Sequence, residues 1–225
     1  MARTWFRDSS VYSSTSSPTA LAGKKYEEIF VPSVSPSLLA NYQRNLYYKT
    51  NEEYVFAVAE AMREEYRAIV DAGCLVQIDD PGLLAYHMRN PDLTMAEWRT
   101  WAEIQVEALN TALRGIPPEK IRYHTCHGIN MGPRVHEMEF KDHVDIVLKI
   151  NAGCYSFEAA NPRHAHEWAV FETVRLPDGK TLIPGVLESK TNFIEHPELI
   201  AQRIGNFARL VGRENVIAGS DCGYG

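Results

Sequence analysis

The 225-residue sequence predicts an α/β protein of repeated βα units packed around a parallel sheet. Two observations predict it. From residue 27 onward, short apolar runs alternate with longer amphipathic stretches. Residues able to bind metals or move protons also recur at the C-terminal ends of the apolar runs, the edge where parallel α/β proteins gather their chemistry.

Residues 1–26 precede the alternation. They are rich in Ser and Thr and are expected to form a disordered arm; they lack the apolar middle of a secretory signal, and their acid-poor character resembles an organelle transit peptide. The run "IFVPSVSPS" is the first candidate strand, closed by Pro36. In "NEEYVFAVAEAMREEYRAIVDAG", Val55, Val58, Met62, Tyr66 and Ile69 recur at steps of three and four, which predicts a helix with one apolar face ending at Gly73. "CLVQIDDPG" is the next strand, with Asp79 at its end and Asp80 before Pro81 as a candidate turn cap. Thr94 and Glu97 have the spacing of a capping box for a helix that turns Trp98, Trp101 and Leu109 inward; Gly115, Pro117 and Pro118 stop it. "IRYHTCHG" reads as a strand, "FKDHVDIVLKINAG" as a shorter helix, "CYSFEAANPRH" as a strand with its mouth loop, and "LIPGVLES" as the fifth strand. Pro197 opens a helix with Leu199, Ile200, Ile204 and Phe207 on one face, and "NVIAGSDCGYG" is the sixth strand. Six such units fit an open doubly wound sheet, or a piece of an eight-stranded barrel that typically needs about 250 residues. The alternation alone leaves both open.

Composition narrows the function classes. With 45% hydrophobic and 23% charged residues the chain suits one sizeable core. A net charge of -6 and a pI near 5.8 offer no basic stripe for nucleic acid, so small molecules are the expected partners. No apolar run reaches the length of about 18 residues that a membrane span requires. Four widely spaced cysteines, Cys74, Cys126, Cys154 and Cys222, are too sparse for a disulfide scaffold and point to a reducing compartment, the cytoplasm.

Asp79, His124, Cys126, Glu158 and Cys222 each sit near the end of a predicted strand. In a parallel fold those ends share one face, so these residues are expected to converge. His124 and Cys126, two apart on a strand, project to the same side, and zinc takes imidazole, thiolate and carboxylate in tetrahedral geometry. Glu158 and Cys222 would complete such a shell. A lone H-x-C is a weak signal, because a buried cysteine usually serves as a small hydrophobe. A Cys/His nucleophile pair is the rival, but two residues on one strand rarely gain the angle it needs. Cys74 and Cys154 begin strands and are assigned to packing, and the remaining histidines, His127, His136, His143, His164, His166 and His196, have no nameable partner.

In order along the chain, "QIDDP", "HTCHG", "SFEAANPRH", "PGVLESKTNFIEHPELIAQRI" and "VIAGSDCGYG" resemble the cobalamin-independent methionine synthase family. The likeness is greatest to its short single-barrel relatives, which include the zinc-dependent epoxyalkane:coenzyme M transferases. It runs from Glu27 to Gly225. The resemblance implies a TIM (β/α)8-type barrel with Zn2+ at its C-terminal mouth, where a thiol is activated to attack an alkyl donor. It assigns the metal to His124, Cys126, Glu158 and Cys222, and the amino group of homocysteine to Asp79. The expected reaction is methyl transfer to homocysteine from a methylated folate, in methionine biosynthesis. Lys190 stands where the family carries a histidine proposed as proton donor, so it is the candidate for that role. Two leading strands and the last helix of the family's barrel have no counterpart, which gives about six of eight βα units in residues 27–225 and a barrel truncated at both ends. Alternatives are an epoxyalkane:coenzyme M-type alkyltransferase, or an inactive barrel fragment that acts by binding; the H-x-C and D-C-G motifs argue against a metal-free porphyrinogen-decarboxylase type.

Overall fold

The structure, a computed structural model, describes residue 23, residues 25–128 and residues 133–223. The expected N-terminal arm lies almost wholly outside the described residues. Six strands form one parallel sheet in sequence order: β1 (Phe30–Val34), β2 (Leu75–Asp79), β3 (Ile121–Thr125), β4 (Cys154–Phe157), β5 (Thr181–Leu187) and β6 (Gly219–Ser220). This order decides between the two architectures. A doubly wound sheet reverses its strand order at a switch point and carries helices on both faces. Here the order never reverses, so crossovers of one hand place the connecting helices on one face and leave the other as the interior of an incomplete barrel.

The helices are α1 (Pro36–Tyr42), α2 (Asn51–Asp71), α3 (Pro81–Arg89), α4 (Met95–Ala112), the single turn α5 (Val144–Val147) and α6 (Pro197–Val211). Val76, Ile78, Ile121, Tyr123 and Tyr155 turn from the sheet toward α2 and α4, where they meet Val55, Met62, Tyr66, Trp98 and Leu109 in the main core. Period-two alternation then turns Gln77, Asp79, Arg122, His124 and Ser156 to the barrel interior. A second core of Phe140, Phe157, Phe171 and Phe207 packs β4 and β5 against α6.

The capping box forms as the spacing predicts, with Glu97 N–H donating to Thr94 Oγ1 (3.3 Å) and Thr94 N–H to Glu97 Oε2 (2.9 Å). Trp98 and Leu109 are buried, whereas Trp101 is partly exposed and stacks on Tyr86 with ring centroids 3.8 Å apart. Two helices escape the sequence reading. Ser35 caps α1, and Asp80, expected at a turn, caps α3 by accepting from Leu83 N–H; Pro36, read as the end of a strand, and Pro81 each occupy a first turn, where the missing N–H costs nothing. The helix expected over residues 140–153 shrinks to a 3-10 turn at Phe140–Asp142 and the turn α5. The sixth strand keeps only two residues plus an isolated bridge from Val216 to Leu182. Of the apolar face expected on α6, only Phe207 is buried, where α6 packs on β5 and on the 3-10 helix Glu167–Glu172.

Two polar clips hold the mouth. Asp221 accepts from the backbone N–H groups of Ala159, Ala160 and Asn161 at 2.7–2.8 Å, which ties the loop after β4 to the chain after β6. Burial pushes its carboxyl up to about 6 against the lowering effect of those hydrogen bonds. The clip crosses β5 at Gly185, where a Cβ would lie 2.7 Å from the Asp221 Cα and 2.8 Å from its backbone nitrogen. In the second clip, His164 is buried between Glu167 (Nδ1 to Oε2, 2.7 Å) and Glu137 (Nε2 to Oε2, 3.2 Å), while Glu167 accepts from Phe140 N–H. Burial works against the imidazolium, yet the two carboxylates raise its pKa to about 9.

Gly185→Ala should therefore cost about 1–3 kcal/mol, since the backbone on both sides of the contact must separate. Urea denaturation checks this, and an alanine variant as stable as the parent would show that the approach is not tight. For His164 the folded value lies above the ordinary one, so its contribution is full below about pH 6.5 and is lost as pH rises through about 9. Unfolding free energies from urea denaturation should fall between those limits by an amount on the order of 2–3 kcal/mol. His164→Gln should flatten that part of the profile; an unchanged slope would remove His164 as its source.

Candidate metal centre at the strand ends

β3 ends with His124 directed to the barrel interior, and Cys126 follows two residues later on the same side. Cys222 arrives from beyond β6, placed by the Asp221 clip one residue earlier. The donor atoms of His124, Cys126 and Cys222 all lie within 4.8 Å of one another, and the two sulfurs are 3.7 Å apart. His124 Nδ1 lies 3.2 Å from Ser156 Oγ on β4; with Nδ1–H donating to that hydroxyl, Nε2 remains as the ligating nitrogen. Gly128 N–H donates to Cys126 Sγ at 3.4 Å.

The two thiols share their charge unequally. Hydrogen bonding with Cys222 and burial drive the Cys126 thiol far up, while hydrogen bonds from Cys126 and His124 hold the Cys222 thiol well below its ordinary value. One imidazole and two sulfurs, one of them already favouring the thiolate, are the donor set of a three-ligand zinc site, and two thiolates would balance the charge of a divalent ion. The donors fit zinc. His124 and Cys126 are buried and Cys222 half-buried, so the set is approached from the Cys222 side.

Glu158 belongs to a different group. Its Oε1 accepts from Arg134 Nη1 at 2.7 Å and from Lys190 Nζ. Its Oε2 accepts from Arg134 Nη2 (3.0 Å), His127 N–H (3.1 Å) and His127 Nδ1 (3.0 Å). Burial alone would raise this carboxyl, but His127, Arg134 and Lys190 together pull it far below the ordinary range. The structure thus brings His124, Cys126 and Cys222 together and places Glu158 and Lys190 beside them as an ion pair. Asp79 pairs with His124 in the β2–β3 register and accepts from Gln77 Nε2 at 3.0 Å.

The sequence reading found no partner for His127 and His164, yet both are buried at the mouth with their rings stacked at 4.3 Å. The donor atoms of His127, Glu158 and His164 form a second group within 4.8 Å. Burial lowers the His127 pKa, and its Nε2 has no hydrogen-bond partner among the described residues. No spacing rule flags such a residue, because its partner Glu158 is 31 positions away. Arg134 and Glu137, joined to each other, were equally silent in the sequence. His143 is buried in the same region, and burial pushes its pKa down to about 3. His136 and His166 are exposed, and His196 caps α6. Cys74 is buried in the main core and Cys154 half-buried at the start of β4.

The chain matches the family model described as the catalytic domain of the cobalamin-independent synthases over residues 41–224. It is 29% identical over 191 residues to the methionine synthase of Saccharolobus islandicus (strain L.S.2.15 / Lassen #1), covering 84% of this chain and 49% of that protein. It is 26% identical over 198 residues to the methionine synthase of Thermococcus kodakarensis, covering 88% of this chain and 51% of that one. The chain thus spans about half the length of the curated relatives it matches. A solved B12-independent methionine synthase from Shewanella sp. W3-18-1, in complex with selenomethionine, superposes with a TM-score of 0.69 at 20% identity, over 88% of this chain and 56% of that chain. That likeness supports the fold, and the match over residues 41–224 shows that the chain belongs to the cobalamin-independent synthase catalytic-domain family.

Proposed function

We propose that this chain serves zinc-dependent methyl or alkyl transfer to a small-molecule thiol, with a homocysteine-like acceptor and a methylated-folate-like donor. The observation that carries the reading is the convergence of His124, Cys126 and Cys222 beside Asp79 on one rim. His124, Cys126 and Cys222 would hold the zinc, with Glu158 as a fourth donor. When bound, zinc would supply the field that keeps a thiol deprotonated near neutral pH.

The chain's own residues would orient and balance the reaction. Asp79, at the end of β2 and next to His124, would pair with the ammonium of an amino-acid thiol and aim its sulfur at the rim. The transfer forms a sulfur–carbon bond and breaks the donor's bond to the same carbon; the departing group takes up a proton in place of the one lost by the thiol. Lys190, whose ammonium lies at the rim against Glu158, is the residue assigned to deliver that proton. A binding-only role is the second reading, favoured by the sheet edges that β1 and β6 leave without a strand partner among the described residues.

Metal analysis and turnover together test the proposal. Purified protein should carry about one zinc per chain, and Cys126→Ser should lose most of it. Equal zinc in the variant would overturn the centre, and full zinc without turnover of any thiol would favour the binding role. Asp79→Asn should leave the zinc content intact and raise the KM for homocysteine about tenfold or more, consistent with loss of a charged contact. An unchanged KM would remove Asp79 from substrate recognition.

A further inference from the structure

The loop that carries Lys190 has no apolar anchor. Residues 188–196 join β5 to α6 without helix or strand, and the two apolar side chains among them, Phe193 and Ile194, are 83% and 101% exposed. Polar contacts therefore place the loop, and they converge on one side chain of α6. Arg203 Nη1 donates to the Val186 carbonyl at 2.9 Å and to Glu195 Oε1, while its Nη2 donates to the Ala160 carbonyl at 3.1 Å. The β5–β6 register shifts between Gly185 and Leu187, so Val186 stands where the ladder is interrupted and the guanidinium takes its carbonyl. Glu195 Oε2 accepts in turn from the Glu188 N–H at 2.8 Å, which draws the two feet of the loop together. Glu188 is buried, and its carboxylate accepts from Asn161 Nδ2 and from the Lys190 N–H, both at 2.8 Å. A path from Arg203 through Glu195 and Glu188 thus ends on the Lys190 backbone.

We infer that Arg203 is a positioning residue for proton delivery: acting through Glu195 and Glu188, it fixes the backbone of Lys190 and so sets where the ammonium can reach. The inference rests on the role assigned to Lys190 above, and on none of the metal donors. A lysine ammonium rides on a flexible four-carbon stem, so its reach is narrow only when its backbone is held. Arg203 suits the task because a planar guanidinium can bond two carbonyls and a carboxylate in one fixed geometry, which a point-like ammonium cannot do as sharply. The side chains of Arg203 and Glu195 are 14% and 9% exposed, so water competes little for the ionic link between them. Through Ala160 the same guanidinium also holds the loop after β4, which sets the Lys190 loop at a defined height against the neighbouring strand end.

Amide hydrogen exchange and turnover test this in the parent, Arg203→Met, Glu195→Gln, Lys190→Met and the Arg203→Met, Lys190→Met double variant. Amides of residues 188–196 should exchange about tenfold or more faster in Arg203→Met and in Glu195→Gln, with those of β3 unchanged. Lys190→Met should lower kcat about a hundredfold. Arg203→Met and Glu195→Gln should each lower kcat about tenfold or more, at unchanged zinc content and unchanged KM for the thiol. In the Lys190→Met background, Arg203→Met should cost less than about twofold, because the group it positions is already gone. Should Arg203→Met fail to fold, Glu195→Gln carries the same cycle with Lys190→Met. Equal exchange in every variant overturns the clamp, and faster exchange with fully additive losses in kcat overturns its part in proton delivery. A Lys190→Met variant as fast as the parent overturns the inference together with the role of Lys190 and leaves the zinc centre standing; a parent that holds zinc but turns over no thiol overturns the transfer reading and this inference with it.

Discussion

The register of β2, β3 and β4 is the constraint on which the site depends. Asp79 opposite His124, and His124 opposite Ser156, stand on adjacent parallel strands whose ends share one rim, so their side chains enter the interior at the same height. A slip of one residue in β3 would turn His124 and Cys126 outward toward the helices and bring Tyr123 and Thr125 inward. The main core forbids that slip, since Tyr123 and Ile121 fill the space against α4, where Trp98 and Leu109 are already fully packed. Hydrophobic packing on one face of the sheet thus sets the chemistry of the other. Asp80 adds a polar lock on the same rim: it accepts from Ser37 Oγ at 2.7 Å and caps α3, while its carbonyl accepts from Thr125 Oγ1 at 2.9 Å.

The alternation of apolar runs and amphipathic stretches made the parallel sheet legible in the sequence, because strands buried against helices need continuous apolar character and their connections need one apolar stripe. His124, Cys126 and Cys222 were legible for a related reason. Metal donors at strand ends have a spacing set by side-chain alternation and by topology, and both can be read along a chain. What stayed hidden is pairwise. Nothing in the local sequence of Arg134 tells it to fork onto Glu158, and His164 looks like any surface histidine until Glu137 and Glu167 close on its two nitrogens. The helices α1 and α3 stayed hidden for a different reason. Ser-Pro and Asp-Pro are equally good at ending an extended run and at starting a helix, and only the following residues' burial decides which.

The mouth concentrates buried charge that an isolated carboxylate or imidazolium could not tolerate. Each ion finds partners in geometry good enough to offset part of its desolvation: Glu158 with Arg134 and Lys190, and Glu137 and Glu167 with His164. Replacing such a network with apolar residues of similar volume is often neutral or stabilising, so stability alone gives little reason for it to be here. Its effect is to fix the position of charges around the sulfur pair. The cationic side of the network faces Glu158 and leaves the Cys126–Cys222 pair on the other side, where the remaining negative charge has no lysine or arginine bonded to it among the described residues.

That arrangement links the candidate centre to the weakest part of the fold. β6 has only two residues, and its attachment relies on the short ladder to β5, the bridge at Val216 and the Asp221 clip. Cys222 lies immediately beyond that clip, whereas His124 and Cys126 belong to β3 and the turn after it, at the centre of the sheet. A cation shared by the three would therefore cross-link the best-anchored strand to the least-anchored one, and its binding energy would act directly against the opening of β6. The two sulfurs lie 3.7 Å apart, and the hydrogen bond between them pushes the Cys126 thiol up while holding the Cys222 thiol down, so the rim suited to a divalent ion carries two closely spaced and mutually dependent thiols. The site and the sheet edge are in this sense one cooperative unit, in which the donors that favour a cation are also the residues whose own placement the cation would secure.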